Sequence, residues 1–280
     1  MSGDLIVARD VEVTFGGERR LFGRATPRVE VLKGVSVRIA RGETVGIVGE
    51  SGSGKTTLGR VLLRLVDATA GRVEFDGQDI THLPETGMRP LRRRMQPIFQ
   101  DPLACLNPRH TIRRIVTEPM LFHGVAAGRS DADARARGIF EKFSLPLACL
   151  DRHPHELSGG QRQRVGIARA ALLAPDFVLA DEIVSGLDVS TQAQALNLLG
   201  ALSRDLGLAM AFISHDLSVI RAVCDRVYVL RLGEIVEEGP CDRVFADPRH
   251  EYTRTLIDAI PLPAVNPDWL RPTTAAEAAA

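Results

Sequence analysis

The 280-residue chain predicts an α/β fold in which strands alternate with helices around a mainly parallel sheet. Three observations support this prediction. Apolar runs typical of buried strands alternate with helical patterns over residues 177–223. A further apolar run, residues 44–48, leads into a glycine-rich loop that is followed by a helical pattern. Finally, 45% of the residues are hydrophobic, which is enough to build a sizeable core.

The N-terminal part of the chain predicts antiparallel strands. Apolar residues alternate with polar ones over residues 5–13 and again over 35–39. The segment between them, residues 16–28, is polar and contains glycine and proline, so we expect a loop. After the first helix, residues 71–80 predict a strand, an Asp-Gly turn and a second short strand.

The middle of the chain, from about residue 90 to 165, predicts a mostly helical insertion. It begins with the basic run LRRRM, continues with a loop at 100–109, and then shows helical patterns at 111–122 and 131–143. This change of pattern separates the N-terminal strands from the alternating strands and helices that follow.

The alternation of strands and helices resumes after the insertion. Residues 177–181 and 208–214 predict strands, and helical patterns follow them near 190–206 and 216–223. The next stretch predicts a hairpin that turns at Gly233.

These elements predict one domain, residues 1–262, whose last part, from about 241, is a C-terminal extension. Residues 263–280 contain prolines and then the run AAEAAA, and we expect a flexible tail. Basic and acidic residues number 35 each, so no overall charge favours nucleic acid or an anionic membrane surface. The four cysteines lack metal-site spacing, which indicates reduced thiols. With no long apolar run and no signal-peptide pattern, the chain is expected to be soluble.

The stretch GESGSGKT at 49–56 fits the G-x-x-x-x-G-K-[ST] pattern of a phosphate-binding loop, or P-loop, between a strand and a helix. Its glycines allow backbone amides to wrap around phosphate oxygens. Lys55 would place a positive charge at the β- and γ-phosphates, and the Thr56 hydroxyl could bind Mg²⁺. The residues expected around the phosphates are Gly49, Glu50, Ser51, Gly52, Ser53, Gly54, Lys55, Thr56 and Thr57.

Further polar residues follow apolar strands, where an open α/β sheet binds its ligands. Asp181 would support Mg²⁺ through water and Glu182 would polarise the attacking water, although such a pair can also be a solvated turn or a helix cap. His215 could reach a γ-phosphate, although a lone histidine is more often structural. The amide of Gln100 could reach both Mg²⁺ and the water.

A second candidate anion site lies in the segment ELSGGQRQR, residues 156–164. The adjacent glycines after Ser158 expose backbone N–H groups at the start of a predicted helix, which suits an anion. A simple helix cap would explain Ser158 but not the glycines. Since the P-loop already provides a phosphate site, the sequence leaves open whose phosphate this second segment would hold.

These motifs, in this order, resemble the ATPase subunit of ATP-binding-cassette (ABC) transporters over about residues 5–260. The resemblance implies a RecA-like P-loop NTPase core with an N-terminal antiparallel β portion and an inserted α-helical subdomain. It implies ATP and Mg²⁺ as cofactors, catalytic roles for Glu182, His215 and Gln100, and Thr56, Gln100 and Asp181 as metal ligands. It also implies a signature segment that completes the ATP site of a second subunit, formed by Leu157, Ser158, Gly159, Gly160 and Gln161. The segment that the family calls the D-loop would be Ser185, Gly186, Leu187 and Asp188.

Residues 99–109, 181–199 and 247–261 are similar to the ATPases of dipeptide, oligopeptide and nickel importers. The chain departs from that family at Glu251 and Ile183, where proline is usual, and at Gly186, where alanine is common. It lacks the C-terminal cysteine cluster of some relatives, so we expect no iron–sulfur cluster. The implied function is ATP hydrolysis coupled to uptake of peptides, nickel or a related small solute.

The resemblance also implies partners and a location. These are a second ATPase subunit, either a paralogue or an identical chain, two membrane-spanning permease subunits and, indirectly, an extracytoplasmic solute-binding protein. The chain would lie at the cytoplasmic face of a bacterial or archaeal plasma membrane. Leu103 and Leu106 would be exposed for contact with a permease helix, or would alternatively pack within the insertion.

An aromatic residue near the N-terminus stacks on adenine in the family. Phe15 is the candidate and Phe22 the alternative, while Phe15 could equally be a core strand residue. A rival function is that of a soluble ABC ATPase acting on nucleic acid or ribosomes. The neutral charge and the absence of a second cassette or a long coiled coil in the sequence weaken this rival, and we expect no nucleic-acid partner.

Overall fold

The computed structural model describes residues 3–16, 27–99, 105–186 and 189–259. Its strands are β1 (Asp4–Phe15), β2 (Val29–Ala40), β3 (Thr44–Val48), β4 (Ala70–Phe75), β5 (Gln78–Asp79), β6 (Met95–Phe99), β7 (Phe177–Asp181), β8 (Ala209–Ile213), β9 (Arg226–Arg231) and β10 (Glu234–Pro240). Its α-helices are α1 (Lys55–Leu62), α2 (Glu85–Arg92), α3 (Ile112–Phe122), α4 (Arg129–Lys142), α5 (Gly159–Ala171), α6 (Val189–Leu206), α7 (Leu217–Val223), α8 (Cys241–Ala246) and α9 (Glu251–Asp258).

The larger sheet has the strand order β10-β9-β3-β8-β7-β6, and all its neighbours are parallel except β10 and β9. Strands β3, β7 and β8 are buried along their whole length, as expected for parallel strands covered on both faces. The predicted strands at 44–48 and 177–181 and the hairpin at Gly233 are confirmed.

The register of these strands brings the ends of four of them to one edge. Ile47 of β3 pairs with Ile213 of β8, Ile213 pairs with Asp181 of β7, and Asp181 pairs with Phe99 of β6. The loops that follow these four strands therefore begin side by side at one edge of the sheet. This edge positions the candidate site.

The N-terminal strands form a separate antiparallel sheet with the order β2-β1-β4-β5, which confirms the predicted antiparallel portion. One apolar core lies between this sheet, helix α1 and one face of the parallel sheet. A second core lies between the other face of the parallel sheet and the helices α3–α9. Helix α1, which follows the P-loop, is thus held between two layers of strands.

The helical insertion differs in its bounds from the predicted 90–165. Residues 95–99 form β6 and pair with β7, and α5 continues to Ala171. A short apolar run such as MQPIF cannot be separated from a helix by periodicity alone, which explains the difference. None of the described helices is long and apolar enough to cross a bilayer. Most of the predicted loop 16–28, with Phe22, and the predicted tail 263–280 lie outside the described residues.

The P-loop begins against strand β9, and this contact yields a test. Gly49 and Gly52 both have positive φ, 149° and 81°. A Cβ on Gly49 would lie 2.1 Å from the carbonyl oxygen of Leu230, whereas a Cβ on Gly52 would meet nothing within 4 Å among the described residues. We expect both alanine variants to cost about 1–2 kcal/mol of backbone strain, and Gly49→Ala to lose about 1–3 kcal/mol more through overpacking.

Thermal unfolding of the nucleotide-free chain measures this difference. Equal losses of Tm for the two alanine variants would contradict the packing of the P-loop against β9.

Candidate functional site

The P-loop connects the buried strand β3 to helix α1 and leaves the first amides of the helix open to a ligand. Gly54 occupies the N-cap of α1 with φ 106° and provides no side-chain cap, and the first turn contains no acidic residue. Unpaired N–H groups and the positive end of the helix dipole together favour an anion. This geometry fits the phosphate site that the sequence predicts.

Lys55 directs its ammonium group back across the start of the loop. The side chain is 6% exposed, and Nζ donates to the carbonyl oxygens of Gly49 at 2.8 Å and Glu50 at 2.7 Å. Burial lowers the pKa of Lys55 below the ordinary value of lysine, while the charges of Glu182, Asp181 and Glu50 raise it. A buried ammonium group held by two carbonyls is well placed to gain an anionic partner.

Ser53 contains a polar atom that the described part of the chain does not satisfy. Its Oγ is buried and has no hydrogen-bond partner there. Buried hydroxyl groups in folded proteins are nearly always paired with protein, water or ligand. An unpaired hydroxyl inside the P-loop fits a loop that binds the oxygen atoms of a ligand.

Asp181, at the end of β7, meets the start of α1. The Thr56 hydroxyl donates to Asp181 Oδ1 at 3.3 Å, and Asp181 is 6% exposed. Burial raises the pKa of Asp181, the hydrogen bond from Thr56 lowers it, and the charge of Glu182 raises it again. A hydroxyl next to a carboxylate is a ligand pair that suits Mg²⁺, so these residues fit the predicted metal site. Gln100, the third predicted ligand, lies outside the described residues.

Glu182 and His215 lie together at the same edge of the sheet. His215 Nδ1 is 3.7 Å from Glu182 Oε2, beyond direct hydrogen-bond distance but close enough for one ligand oxygen to contact both. Glu182 has a left-handed backbone with φ 49°, and its N–H donates to the carbonyl of Ile213 at 2.9 Å. This hydrogen bond connects Glu182 to the end of β8, immediately before the segment that contains His215.

The signature segment forms the exposed start of helix α5. Ser158 Oγ accepts a hydrogen bond from the backbone N–H of Gln161 at 3.3 Å. In return, the side-chain oxygen Oε1 of Gln161 accepts the backbone N–H of Ser158 at 3.0 Å, so the two residues form a capping box. Capping thus accounts for Ser158 and Gln161, but a Cβ on Gly159 would meet nothing within 4 Å of described structure. Among the described residues, no hydrogen bond joins this segment to the P-loop.

The segment after Glu182 contains two departures from the family pattern. Ile183 is buried in the core, and Gly186 has φ 75°, a conformation that glycine adopts without strain. The Ser185 amide donates to the carbonyl of Glu182 at 3.1 Å, which forms a tight turn. Leu187 and Asp188 lie outside the described residues.

Phe15 is 47% exposed at the end of β1, so it is not the core residue of the alternative interpretation. Phe15 pairs with Val29 of β2. Two residues further along β2, the carbonyl oxygen of Val31 approaches the P-loop, since a Cβ added to Gly54 would lie 3.0 Å from it. Phe15 is thus available for stacking on the side of the P-loop where β2 runs.

One contact at the site is not predicted by any of the sequence motifs. The hydroxyl oxygen of Tyr252, in the C-terminal extension, accepts the N–H of Glu50 at 2.8 Å. The similarity of residues 247–261 to importer ATPases marks this tyrosine in the sequence, but contact with the P-loop requires the fold.

Residues 32–185 match the family described as ABC transporter, and residues 236–279 match the family described as Oligopeptide/dipeptide transporter, C-terminal region. The chain is 54% identical over 235 residues to a putative peptide import ATP-binding protein of Brucella ovis, with 84% of this chain and 74% of that protein covered. The chain belongs to the ABC transporter family. This ABC subunit is also 43% identical to the oligopeptide transport ATP-binding protein OppF of Salmonella typhimurium, covering 95% of this chain and 80% of OppF.

Solved ABC cassettes share the fold. The subunit matches the dimeric post-hydrolysis structure of the cassette MJ0796 bound to ADP and phosphate with a TM-score of 0.73 and 29% identity, covering 84% of this chain and 98% of that one. The predicted P-loop ATPase core with an antiparallel β portion and a helical insertion is therefore confirmed.

The buried charge of Asp181 predicts a gain of stability on its removal. The pKa of Asp181 is raised in the folded chain, so the folded state favours the protonated carboxyl group. The stability that this proton contributes is present in full below the unfolded pKa and is lost as the pH rises through the folded pKa. At neutral pH, Asp181→Asn should therefore raise the Tm of the nucleotide-free subunit, by about 2–4 °C for each kcal/mol gained. The same variant should lose the Mg²⁺ dependence of nucleotide binding.

Asp79→Asn is the matched control for this measurement. A hydrogen bond from Thr81 lowers the pKa of Asp79, so removing this carboxylate should lower the Tm. A fall of Tm for both variants by calorimetry would contradict the account of Asp181.

Proposed function

We propose that this ABC subunit binds and hydrolyses MgATP to drive an importer of peptides or a chemically related small solute. The observation that carries the proposal is the meeting of Lys55, Asp181, Glu182 and His215 at the C-terminal edge of the parallel sheet. The substrate class is supported by the match of residues 236–279 and by the peptide-import names of the similar proteins. No described feature favours the rival role on nucleic acid or ribosomes.

The residues divide the work of hydrolysis between holding the phosphates and activating the water. The amides at the start of α1 and the Lys55 ammonium group bind the β- and γ-phosphates. Thr56 and Gln100, with Asp181 through water, would hold Mg²⁺, which would neutralise charge on the phosphate oxygens. Glu182 accepts a hydrogen bond from the attacking water, and His215 donates to an oxygen of the γ-phosphate.

The exposed signature segment supports a dimer of ATPase subunits. The exposed start of α5 presents Ser158, Gly159 and Gly160 with no hydrogen bond to the chain's own P-loop among the described residues. These donors would bind a γ-phosphate held by the P-loop of a second subunit, either a paralogue or an identical chain.

A groove beside helix α3 is the proposed contact with a permease subunit at the cytoplasmic face of the membrane. It has a volume of about 590 Å³ and is lined by Ile115, Pro119, Phe122 and Arg169 among others, and Phe122 is 62% exposed. Leu106, which we expected to be exposed, is buried, so for this residue the alternative of packing within the insertion is correct. Leu103 lies outside the described residues.

Glu182→Gln separates hydrolysis from binding. We expect a fall in turnover of about 10²-fold or more, because the carboxylate contacts the attacking water. The affinity for MgATP should stay nearly unchanged, because the phosphates are bound by the P-loop amides and Lys55. Lys55→Ala should instead weaken nucleotide binding itself. Calorimetric affinity and phosphate release measure the two effects, with Glu234→Gln as a control at an exposed carboxylate.

Native turnover by Glu182→Gln in the assembled transporter would remove Glu182 from the mechanism. If the unmodified chain bound no MgATP, the proposed function itself would be wrong.

The signature segment yields a test of the two-subunit site. A side chain on Gly159 meets nothing within 4 Å of described structure, whereas one on Gly160 would meet Thr191 at 2.9 Å, so Gly159→Asp is the cleaner variant. The new carboxylate should repel a γ-phosphate of the partner's nucleotide and leave the variant's own affinity for ATP unchanged. Hydrolysis by the mixture of variant and partner subunit should fall by at least half.

Gly138→Asp places the same change on the exposed face of helix α4 and should leave hydrolysis unaffected. Loss of ATP binding by the isolated Gly159→Asp chain would show that the signature segment serves its own nucleotide, and would exclude the two-subunit site.

A further inference from the structure

The C-terminal extension turns back from strand β10 toward the P-loop and is fixed in that position. The Glu237 carboxylate accepts the backbone N–H groups of Arg249 at 2.8 Å and His250 at 3.0 Å. Although burial raises the pKa of Glu237, the hydrogen bonds from the backbone N–H groups of Arg249 and His250 lower it below its usual value. A charged group of β10 thus anchors the chain immediately before helix α9.

Tyr252 lies in the first turn of α9 and is 6% exposed. The guanidinium carbon of Arg231, at the end of β9, is 5.0 Å from the centre of its ring, within the range of a cation–π contact. The hydroxyl oxygen accepts the N–H of Glu50 at 2.8 Å. The ring is therefore fixed by packing, and its polar end contacts the P-loop.

This contact reaches Lys55 through a single peptide group. The N–H of Glu50 and the carbonyl of Gly49 belong to the same peptide, which is planar and nearly rigid. The Gly49 oxygen accepts from Lys55 Nζ at 2.8 Å. A hydrogen bond at one end of the peptide therefore fixes the direction of the acceptor at the other end, and the two bonds polarise each other.

We propose that Tyr252 is a positioning residue of the nucleotide site. Its hydroxyl orients the Gly49–Glu50 peptide so that Lys55 is held where the phosphates bind, and the C-terminal extension thereby contributes to nucleotide affinity. This inference rests on the proposed function, since it requires MgATP at the P-loop. Without the hydroxyl, the partly buried N–H of Glu50 loses its hydrogen-bond partner, and the peptide can rotate away from Lys55.

Tyr252→Phe tests the proposal because it keeps the ring and removes only the hydroxyl. Tyr228→Phe is the matched control, since Tyr228 is the one other tyrosine in the sequence. Its buried hydroxyl accepts from the Arg38 amide at 3.0 Å and from Arg226 at 2.9 Å and has no contact with the P-loop in the described structure. The control variant thus removes at least as many hydrogen bonds as Tyr252→Phe does, but it removes them from a site in the core.

For Tyr252→Phe we expect the Kd and KM for MgATP to rise about fivefold, the effect of one hydrogen bond, with kcat changed less than twofold. For Tyr228→Phe we expect an equal or larger fall in Tm with the Kd for MgATP within twofold of the unmodified chain. If Tyr252→Phe failed to fold, 3-fluorotyrosine in the Tyr228→Phe background, which weakens the Tyr252 oxygen as an acceptor, should also raise the Kd.

An unchanged Kd for Tyr252→Phe, or an equal rise for Tyr228→Phe, would overturn the positioning role and leave Tyr252 as a packing residue. These outcomes differ from failure of the proposed function, in which the unmodified chain would bind no MgATP.

Discussion

The burial of the Lys55 ammonium group is the constraint around which the site is arranged. Two carbonyls of the P-loop hold this charge, and the nearby carboxylates of Glu182, Asp181 and Glu50 partly offset its desolvation. Burial also disfavours the negative charge of Asp181, and this raises the pKa of its carboxyl group. A site with a desolvated cation and a desolvated carboxylate is less stable without a ligand than with one, and phosphates with Mg²⁺ provide the complementary charges.

The parallel sheet makes this arrangement possible. The paired row of Ile47, Ile213, Asp181 and Phe99 aligns the ends of β3, β8, β7 and β6, although these strands are far apart in the sequence. The left-handed backbone of Glu182 then turns its side chain toward His215. Strand register, rather than proximity along the chain, therefore assembles phosphate binding and water activation in one place.

The sequence predicts the parts that depend on local chemistry. The P-loop pattern, the apolar runs of β3 and β7 and the glycines of the signature segment each have a local physical reason, and the α/β class follows from their alternation. Three features depend on distant contacts that no local pattern specifies. Residues 95–99 are a strand because β7 pairs with them, and Tyr252 contacts Glu50 because Glu237 anchors the extension. Burial of Leu106 likewise depends on packing within the insertion.

The central claim, that buried Lys55 is where the phosphates bind, can be measured directly because the sequence contains three lysines, Lys33, Lys55 and Lys142. In the chain labelled with [ε-¹³C]lysine, NMR should show one signal that titrates below the ordinary pKa of lysine without nucleotide. Addition of MgATP should shift that signal selectively and raise its titration midpoint, because the phosphates favour the charged form. A Lys55 signal, assigned by Lys55→Arg, that neither shifts nor changes its midpoint at saturating MgATP would contradict the account.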